Sequence, residues 1–339
     1  MKIKNLILTV LAVCAALASS ASTTWNVIGT DYTVDTLFHN QVGPGTTTTS
    51  LWFHNDAKST LRVFYCTMDM TNPYLSLAGV CATDKLAGNE KVSAMAERKS
   101  EPGKRYFVGV NADFFTTKGT TGRGVSKIGS PVGSTIVDGT IYRARNNATL
   151  YKNFVVDTAG QVYTNPFFFG GTITVHDTLQ ETLGGINVNP KEKAASNVNK
   201  VTIYNDLYYG STDASDGGNE IVAYLLEGEQ FLTGAPFKMV ISGSPSTEGD
   251  MTIPEGGYVI HGNGTASNFV GNLADGDTVT LHLTWTYNGV SVIPQQIISG
   301  NPKILEDGVT LDSEGDRSDA NSNQPRAAVG YSDGGDKVY

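Results

Sequence analysis

The sequence predicts an α+β fold: a strand-dominated mixed sheet with few helices, in a single large domain of the catalytic type. Three observations predict it. The 38 glycines of this 339-residue chain are scattered singly and in pairs between β-branched runs, the mark of many turns and many short strands. Several of those runs alternate apolar with polar residues at the period of a half-buried strand. Only one segment has convincing helical spacing. The length is great for one ordinary domain and marginal for two. With 40% apolar, 17% charged and 9% aromatic residues, the chain has enough apolar surface to fold. It shows neither heptads nor collagen triplets, which excludes fibrous classes.

In chain order, Lys2 and Lys4 form a short positive region, Leu6 to Ala16 an apolar one, and Ser19-Ser20-Ala21 offers small residues for cleavage. Residues 1–21 therefore read as a secretory signal peptide, too short in its apolar part for an ordinary transmembrane helix. Cys14, after Leu11-Ala12-Val13, is similar to a lipoprotein cleavage box, but Val13 is bulky for that place. Plain export to a periplasmic, cell-surface or secreted location is the expectation. No later stretch is long and apolar enough to span a bilayer. Residues 22–99 form an N-terminal β-rich segment. Within it, residues 22–50, rich in Thr and Ser, read as an exposed lead-in with one edge strand. Leu61 to Cys66 and Tyr74 to Leu77 read as strands. Val92, Met95 and Ala96 fall at i, i+3, i+4, which predicts a helix over Asn89 to Lys99 with Asn89 capping it and Pro102-Gly103 stopping it.

Residues 100–339 form the main domain. Arg105 to Val110 predicts a buried strand that delivers Asn111 at its end. Asp138-Gly139 and Ala159-Gly160 each separate two apolar runs, so hairpins are expected at both. The clearest hairpin is Thr278 to Ile293: Leu281, Leu283, Trp285 and Tyr287 share one face, and Asn288-Gly289 supplies two positive φ angles. A short helix is predicted at about Ala266 to Leu273. Asn189 to Asn199 and Asp213 to Asn219 read as loop insertions.

Lys and Arg number 24 against 33 Asp and Glu, a net charge of −9. That field repels polyphosphate, and no local basic patch offsets it, so nucleic acid is excluded as a partner. After cleavage, Cys66 and Cys81 remain, as a disulfide suited to an exported protein or as two buried thiols. Without CxxC there is no zinc ribbon. GxSxG, HExxH, P-loop and Rossmann signatures are absent, the five histidines show no pair at ligand spacing, and the sequence names neither a metal nor a cofactor. His282 reads as solvated. The acidic stretch Asp312 to Asp319 lacks the bidentate Glu of an EF-hand and reads as a solvated loop. Asn147-Ala148-Thr149 and Asn263-Gly264-Thr265 are glycosylation sequons, relevant only in a glycosylating host.

What stands out is a set of polar residues where strands meet glycine-rich turns. These are Asn111-Ala112-Asp113-Phe114-Phe115, His261-Gly262-Asn263-Gly264, Ser299-Gly300-Asn301-Pro302 and Gln324-Pro325-Arg326-Ala327-Ala328-Val329-Gly330. Each alone could be turn chemistry. In this order, with Gly133 to Gly139, Gly256 to Gly262 and Gly300 to Gly308, the chain resembles the phosphodiester glycosidase family, which includes the uncovering enzyme of the mannose 6-phosphate pathway. The resemblance covers residues 100–339. It departs from the family in having Ala112-Asp113 for Gly-Gly and Ala327 for Thr, and in lacking, up to Tyr339, the Asp-Gly-Gly-Gly-Ser element that follows the arginine strand.

The resemblance implies hydrolysis of a sugar-1-phosphodiester with loss of a sugar such as N-acetylglucosamine. A phosphate monoester leaves as a stabilised anion, so the site needs positive charge and N–H donors more than a strong acid. Arg326 is the candidate phosphate grip, since a guanidinium can hold two oxygens in a fork. Asp113 is the candidate carboxylate, to activate water or stabilise an oxocarbenium-like state. Asn111, Phe114, His261, Asn263 and Asn301 are candidate substrate-binding residues, with Phe115 as an alternative to Phe114. The other function class in view is a non-catalytic carbohydrate-binding or cell-surface structural protein of the same fold.

Overall fold

A computed structural model describes residues 22–27, 29–58, 60–146, 152–190, 198–311 and 324–339. The signal-peptide segment 1–21, the sequon at Asn147 and the acidic stretch Asp312 to Asp319 lie outside the described residues, as does most of the predicted insertion at 189–199. In chain order the strands begin with β1 (Thr23–Val27), β2 (Thr30–Gly43), β3 (Thr46–His54) and β4 (Thr60–Asp69), followed by helix α1 (Val92–Lys99). Next come β5 (Thr135–Val137), β6 (Thr140–Arg145), β7 (Lys152–Asp157), β8 (Val162–Asn165), β9 (Phe168–Val175) and β10 (Leu179–Ile186). Then follow β11 (Val201–Asn205), β12 (Asn219–Leu225), β13 (Phe237–Ser246), β14 (Tyr258–Gly262), helix α2 (Ser267–Gly271) and β15 (Thr278–Tyr287). The last are β16 (Val290–Ser291), β17 (Pro294–Gly300), β18 (Leu305–Glu306), β19 (Val309–Thr310), β20 (Tyr331–Ser332) and β21 (Lys337–Val338). Strands dominate and helices are few, the mostly-β α+β fold that the glycine distribution predicts.

The chain divides into two compact units, one running to Ser76 and including Tyr331–Tyr339, the other spanning Leu77–Gly330. The C-terminal hairpin belongs with the N-terminal strands in the first unit. In the first unit the sheet order is β1-β2-β3-β4-β21-β20. The Thr-rich lead-in is thus not a loop with one edge strand but three paired strands. Its β-branched residues suit a pleated surface, and the register sets Val34 opposite Phe53. Tyr32, Val34, Leu51 and Phe53 form this unit's small core. The strand expected at Tyr74 to Leu77 is instead a turn, because the Asn72 side chain accepts the Tyr74 N–H at 3.0 Å and the Asn72 carbonyl that of Leu75 at 3.1 Å.

The second unit is built on a ring. Strands β10, β11, β14, β12, β13, β15 and β9 pair in that order, and β9 pairs back onto β10. Only the β10–β11 pair is parallel; the remaining six are antiparallel. From β10 the sheet also continues outward through β6, β5, β17, β7 and β8. The alternation in β15 explains its place: Val279, Leu281, Leu283 and Trp285 are all fully buried in the main core, while His282 is exposed. Its turn into β16 has Asn288 at φ 48° and Gly289 at φ 77°, the positive pair that a tight hairpin needs.

Two local expectations fail. Residues 105–110 form no strand and stay partly exposed; their nearest ladder is the isolated Glu101–Lys104 bridge, and without a partner strand an apolar run has no reason to extend. Helix α1 starts after Lys91, with no side-chain cap from Asn89, and buries none of its residues. Nor does a disulfide form. Cys66 and Cys81 are both free thiols; Cys66 lies on β4 of the first unit, opposite Thr48. Cys81 belongs to a core cluster of the second unit, and burial pushes its thiol up to about 12. No described helix is long and apolar enough to cross a membrane.

Candidate active site

Asp113 is the centre of the candidate site. It occupies the left-handed region at φ 61°, a conformation that Asp tolerates better than most residues and that concentrates where function constrains the backbone. Its own N–H donates to the Ser299 carbonyl at the end of β17 at 2.9 Å. Its carboxylate accepts the Gly133 N–H at 3.2 and 3.4 Å and the Phe114 N–H. Gly133 must be glycine: a Cβ there would come within 2.2 Å of the Ser299 side chain and 3.2 Å of Asp113 Oδ2.

Ser299 is itself fixed on both sides. Its hydroxyl accepts from Asn153 Nδ2 at 2.8 Å and donates to the Ser134 carbonyl at 2.9 Å. Asn153 Oδ1 in turn accepts the Phe167 N–H at 3.2 Å. Residues from β7, β17 and the turn before β5 therefore converge beneath Asp113. Pre-organisation of this kind, in which each first-contact residue is held by a second, suits a site that must keep its geometry.

Beside them β6 presents two arginines. Arg143 and Arg145 stand two residues apart, so they share one face of the strand, and they are only 3% and 5% exposed. Buried guanidiniums are costly unless they meet charge or hydrogen-bond acceptors. Burial raises the Asp113 carboxyl to about 7, against the opposing pull of the Gly133 and Phe114 N–H groups and of the two arginines. A carboxyl that titrates near neutrality next to two fixed cations can exchange a proton while the cations hold an anionic oxygen.

The remaining predicted residues separate into those near this centre and those with other work. Asn301 follows Ser299 at the end of β17, and its Oδ1 is buried without a hydrogen-bond partner. Phe114 is 48% exposed and Phe115 52% exposed, so neither is core. Asn111 is exposed. Arg326 lies on the exposed irregular stretch 324–330 and donates to the Pro325 carbonyl at 3.3 Å; the cations that act on Asp113 are Arg143 and Arg145.

His261 and Asn263 are buried. His261 on β14 is completely buried, with Nε2 3.2 Å from Asp216 and Nδ1 3.3 Å from Glu220. Burial opposes the charge, but the two carboxylates outweigh it and raise the imidazole to about 9. Asn263 is 5% exposed, and its Oδ1 accepts the Asn199 N–H at 2.7 Å. Both are tied into the frame. An open groove of about 840 Å³ runs between α1 and residues 100–109, beside Val92, Ala96, Tyr106 and Val108. None of the site residues lines it. Among the described residues, no cluster of three or more His, Cys, Asp or Glu is arranged to hold a metal ion.

The sequence reading did not assign Arg143, Arg145 or Asn153 to the candidate site; Ser299 stands in a turn it singled out, without a role of its own. The signal for the first two was present: Arg-Ala-Arg at the end of an apolar strand puts both charges on one face.

Models of known protein families give no match to this chain, and curated protein sequences give none. Among solved structures, it is similar to a hypothetical protein from Synechocystis, with a TM-score of 0.52 and 16% identity over 86% of this chain and 54% of that one. A protein from Burkholderia pseudomallei K96243, provisionally named as exported, gives a TM-score of 0.49 and 18% identity over 75% of this chain and 50% of that one. The chain spans about half the length of the solved structures it matches. At such identities the Synechocystis likeness bears on the fold alone.

Proposed function

We propose that this chain is an exported hydrolase that cleaves a glycosyl-1-phosphodiester, releasing a sugar such as N-acetylglucosamine from a glycan. The observation that carries the proposal is the convergence of the Asp113 turn, the Gly133 turn and the end of β17 beside the paired arginines of β6. All three converging segments belong to the motifs that resemble the phosphodiester glycosidases. In this reading Arg143 and Arg145 hold the phosphate, a role the sequence had assigned to Arg326. Asp113 in its ionised form takes a proton from water as the water oxygen bonds to C1. The C1–O bond to phosphate breaks, and the phosphomonoester leaves as an anion stabilised by the guanidiniums. The exposed Phe114 and Asn111 stand next to Asp113 in the chain and are placed to meet a sugar face and its hydroxyls.

The test is incubation with UDP-N-acetylglucosamine and with a mannose-phosphate-linked N-acetylglucosamine donor. Free sugar should appear in equal amounts with UDP from the first donor and with mannose phosphate from the second, and Arg143→Met or Arg145→Met should lower kcat/KM by about 100-fold or more, the usual loss for an electrostatic contact made in the transition state. An Arg326→Ala variant that keeps full activity would confirm the reassignment. Saturable glycan binding by calorimetry with no turnover would replace this reading with the non-catalytic carbohydrate-binding one.

A further inference from the structure

The residues between Asp113 and Gly133 form an arm with Asp113 at its base. Near the base, Val132 N–H donates to Phe114 O at 2.8 Å and Thr116 N–H to Ser130 O at 2.9 Å. Further out, Gly129 N–H donates to Thr116 O at 2.8 Å and Lys127 N–H to Gly119 O at 3.0 Å. The tip turns at Thr121, whose carbonyl accepts from Gly124 N–H and whose N–H donates to Val125 O. The arm therefore carries its own ladder, so a force at its tip is transmitted to its base.

The tip is clamped by charge. Asp213 accepts the Gly122 N–H at 2.7 Å through Oδ1 and pairs with Lys127 through Oδ2. Arg123 pairs with Asp250 at 2.9 Å and donates to Thr252 Oγ1 at 2.7 Å. Midway along, Tyr209 donates to Ser130 Oγ at 2.7 Å. The clamp residues are joined to one another, since Asp250 Oδ1 accepts the Asp213 N–H at 3.1 Å and the Met251 carbonyl accepts the Thr212 N–H at 3.0 Å.

The clamp is anchored to the ring through buried groups. Glu220 on β12 accepts the Met251 N–H at 2.9 Å and faces His261, whose other nitrogen faces Asp216 on the same loop as Asp213. Thus one buried imidazole, held between two carboxylates, secures both segments that grip the arm. This arrangement accounts for two things the catalytic reading leaves unexplained: why a fully buried histidine sits between two acids, and why an exposed loop carries so many directional charged contacts.

We infer that Asp213 is a positioning residue for Asp113, acting through the arm: the clamp holds the arm in place, and with it the Phe114 and Gly133 N–H groups at its base that the Asp113 carboxylate accepts. The inference rests on the proposed role of Asp113 only for its consequence in catalysis; the coupling itself is a property of the folded protein and can be read without substrate.

The experiment is Asp213→Ala in the full chain, with Arg123→Met as a second variant at the exposed tip. Two readouts are compared with wild type: amide hydrogen exchange over residues 116–130, and the titration of the Asp113 carboxyl followed by carbon-13 NMR. Release of the clamp should speed exchange across 116–130 by about tenfold or more, as expected when a local opening becomes easier. It should also move the Asp113 titration further up from about 7, because the Gly133 and Phe114 N–H groups that favour its ionised form are loosened. If the enzyme turns over a phosphodiester, the acid limb of kcat/KM should shift up by the same interval, while Lys127→Met should behave like Asp213→Ala. Folded variants with unchanged exchange and an unchanged Asp113 titration would overturn the inference. Absence of turnover in wild type, with both physical readouts shifting as stated, would overturn the proposed activity and leave the coupling standing.

Discussion

Replacing Asp113 by Asn isolates the electrostatics of the site in one isosteric change. Asn fits the φ of 61° as well as Asp does, since both tolerate the left-handed region, and its Oδ1 can still accept an N–H from Gly133 or Phe114. Only the ability to carry charge is lost. In the folded protein the carboxyl titrates near 7 because it is buried; in the unfolded chain it titrates near 3.8. A raised carboxyl contributes stability that is complete below pH 3.8 and is lost as the pH rises through 7. The wild type should therefore weaken across this window while the Asn variant does not. The interval sets an upper limit of about 4 kcal/mol, and since water still reaches part of Asp113, a difference of about 2 kcal/mol in favour of Asn is expected above neutrality. Urea denaturation of both proteins between about pH 4 and about pH 8 measures it, with stability read from the midpoint at constant slope. The Asn variant should also lose hydrolysis, so that stability and activity move in opposite directions. Parallel stability curves for the two proteins would refute the claim that a buried, neutral-titrating carboxyl sits at this turn.

The frame around the site makes further commitments. Gly133→Ala forces a methyl within 2.2 Å of the Ser299 side chain and should cost about 1–3 kcal/mol by urea denaturation, as overpacking does; adding Ser299→Gly should recover part of that loss, and independent, additive effects would show that the two residues do not touch. His261→Gln leaves Glu220 and Asp216 without their shared cation and should cost about 3 kcal/mol or more at neutral pH, as breaking a buried ion pair does. Because His261 titrates near 9 when folded and near 6.5 when not, its stabilisation is complete below pH 6.5 and disappears as the pH climbs through 9; thermal melts should show a decline over that window in wild type and a flat profile in the Gln variant.

Some of this was legible in the sequence, for identifiable reasons. The β15–β16 hairpin announces itself because alternation and an Asn-Gly turn are local signals that tertiary packing only reinforces. Asp113 stands out in the sequence as a carboxylate beside Asn111 at the end of an apolar run, a local pattern that needs no knowledge of the packing. Arg326 was preferred over Arg143 and Arg145 because a family-like motif surrounds it, whereas the burial of the β6 pair is set by strands that arrive from elsewhere in the chain. His261-Gly262-Asn263-Gly264 reads in the sequence as a polar strand end meeting a turn, as Asn111 to Phe115 does; only packing distinguishes the two, through Asp216 and Glu220 around His261 and Asn199 beside Asn263. The 105–110 run fails for the converse reason. Its residues favour a strand, but strand formation needs an edge, and an edge is a property of the whole sheet.

The ring of the second unit has a consequence for how the chain is made. Its seam between β9 and β15 joins segments far apart in sequence, so it cannot form until residue 287 has been delivered. Until then the edge of β9, with Phe169, Ile173 and Val175 on its inward face, lies open, and an unpaired strand of that composition is a template for wrong partners. Contacts of such sequence separation also slow folding, because the loop entropy is lost before the contact is gained. The newly made protein therefore passes through an interval in which the edge of β9 is unpaired, and a holdase that covers it would protect the chain during that interval.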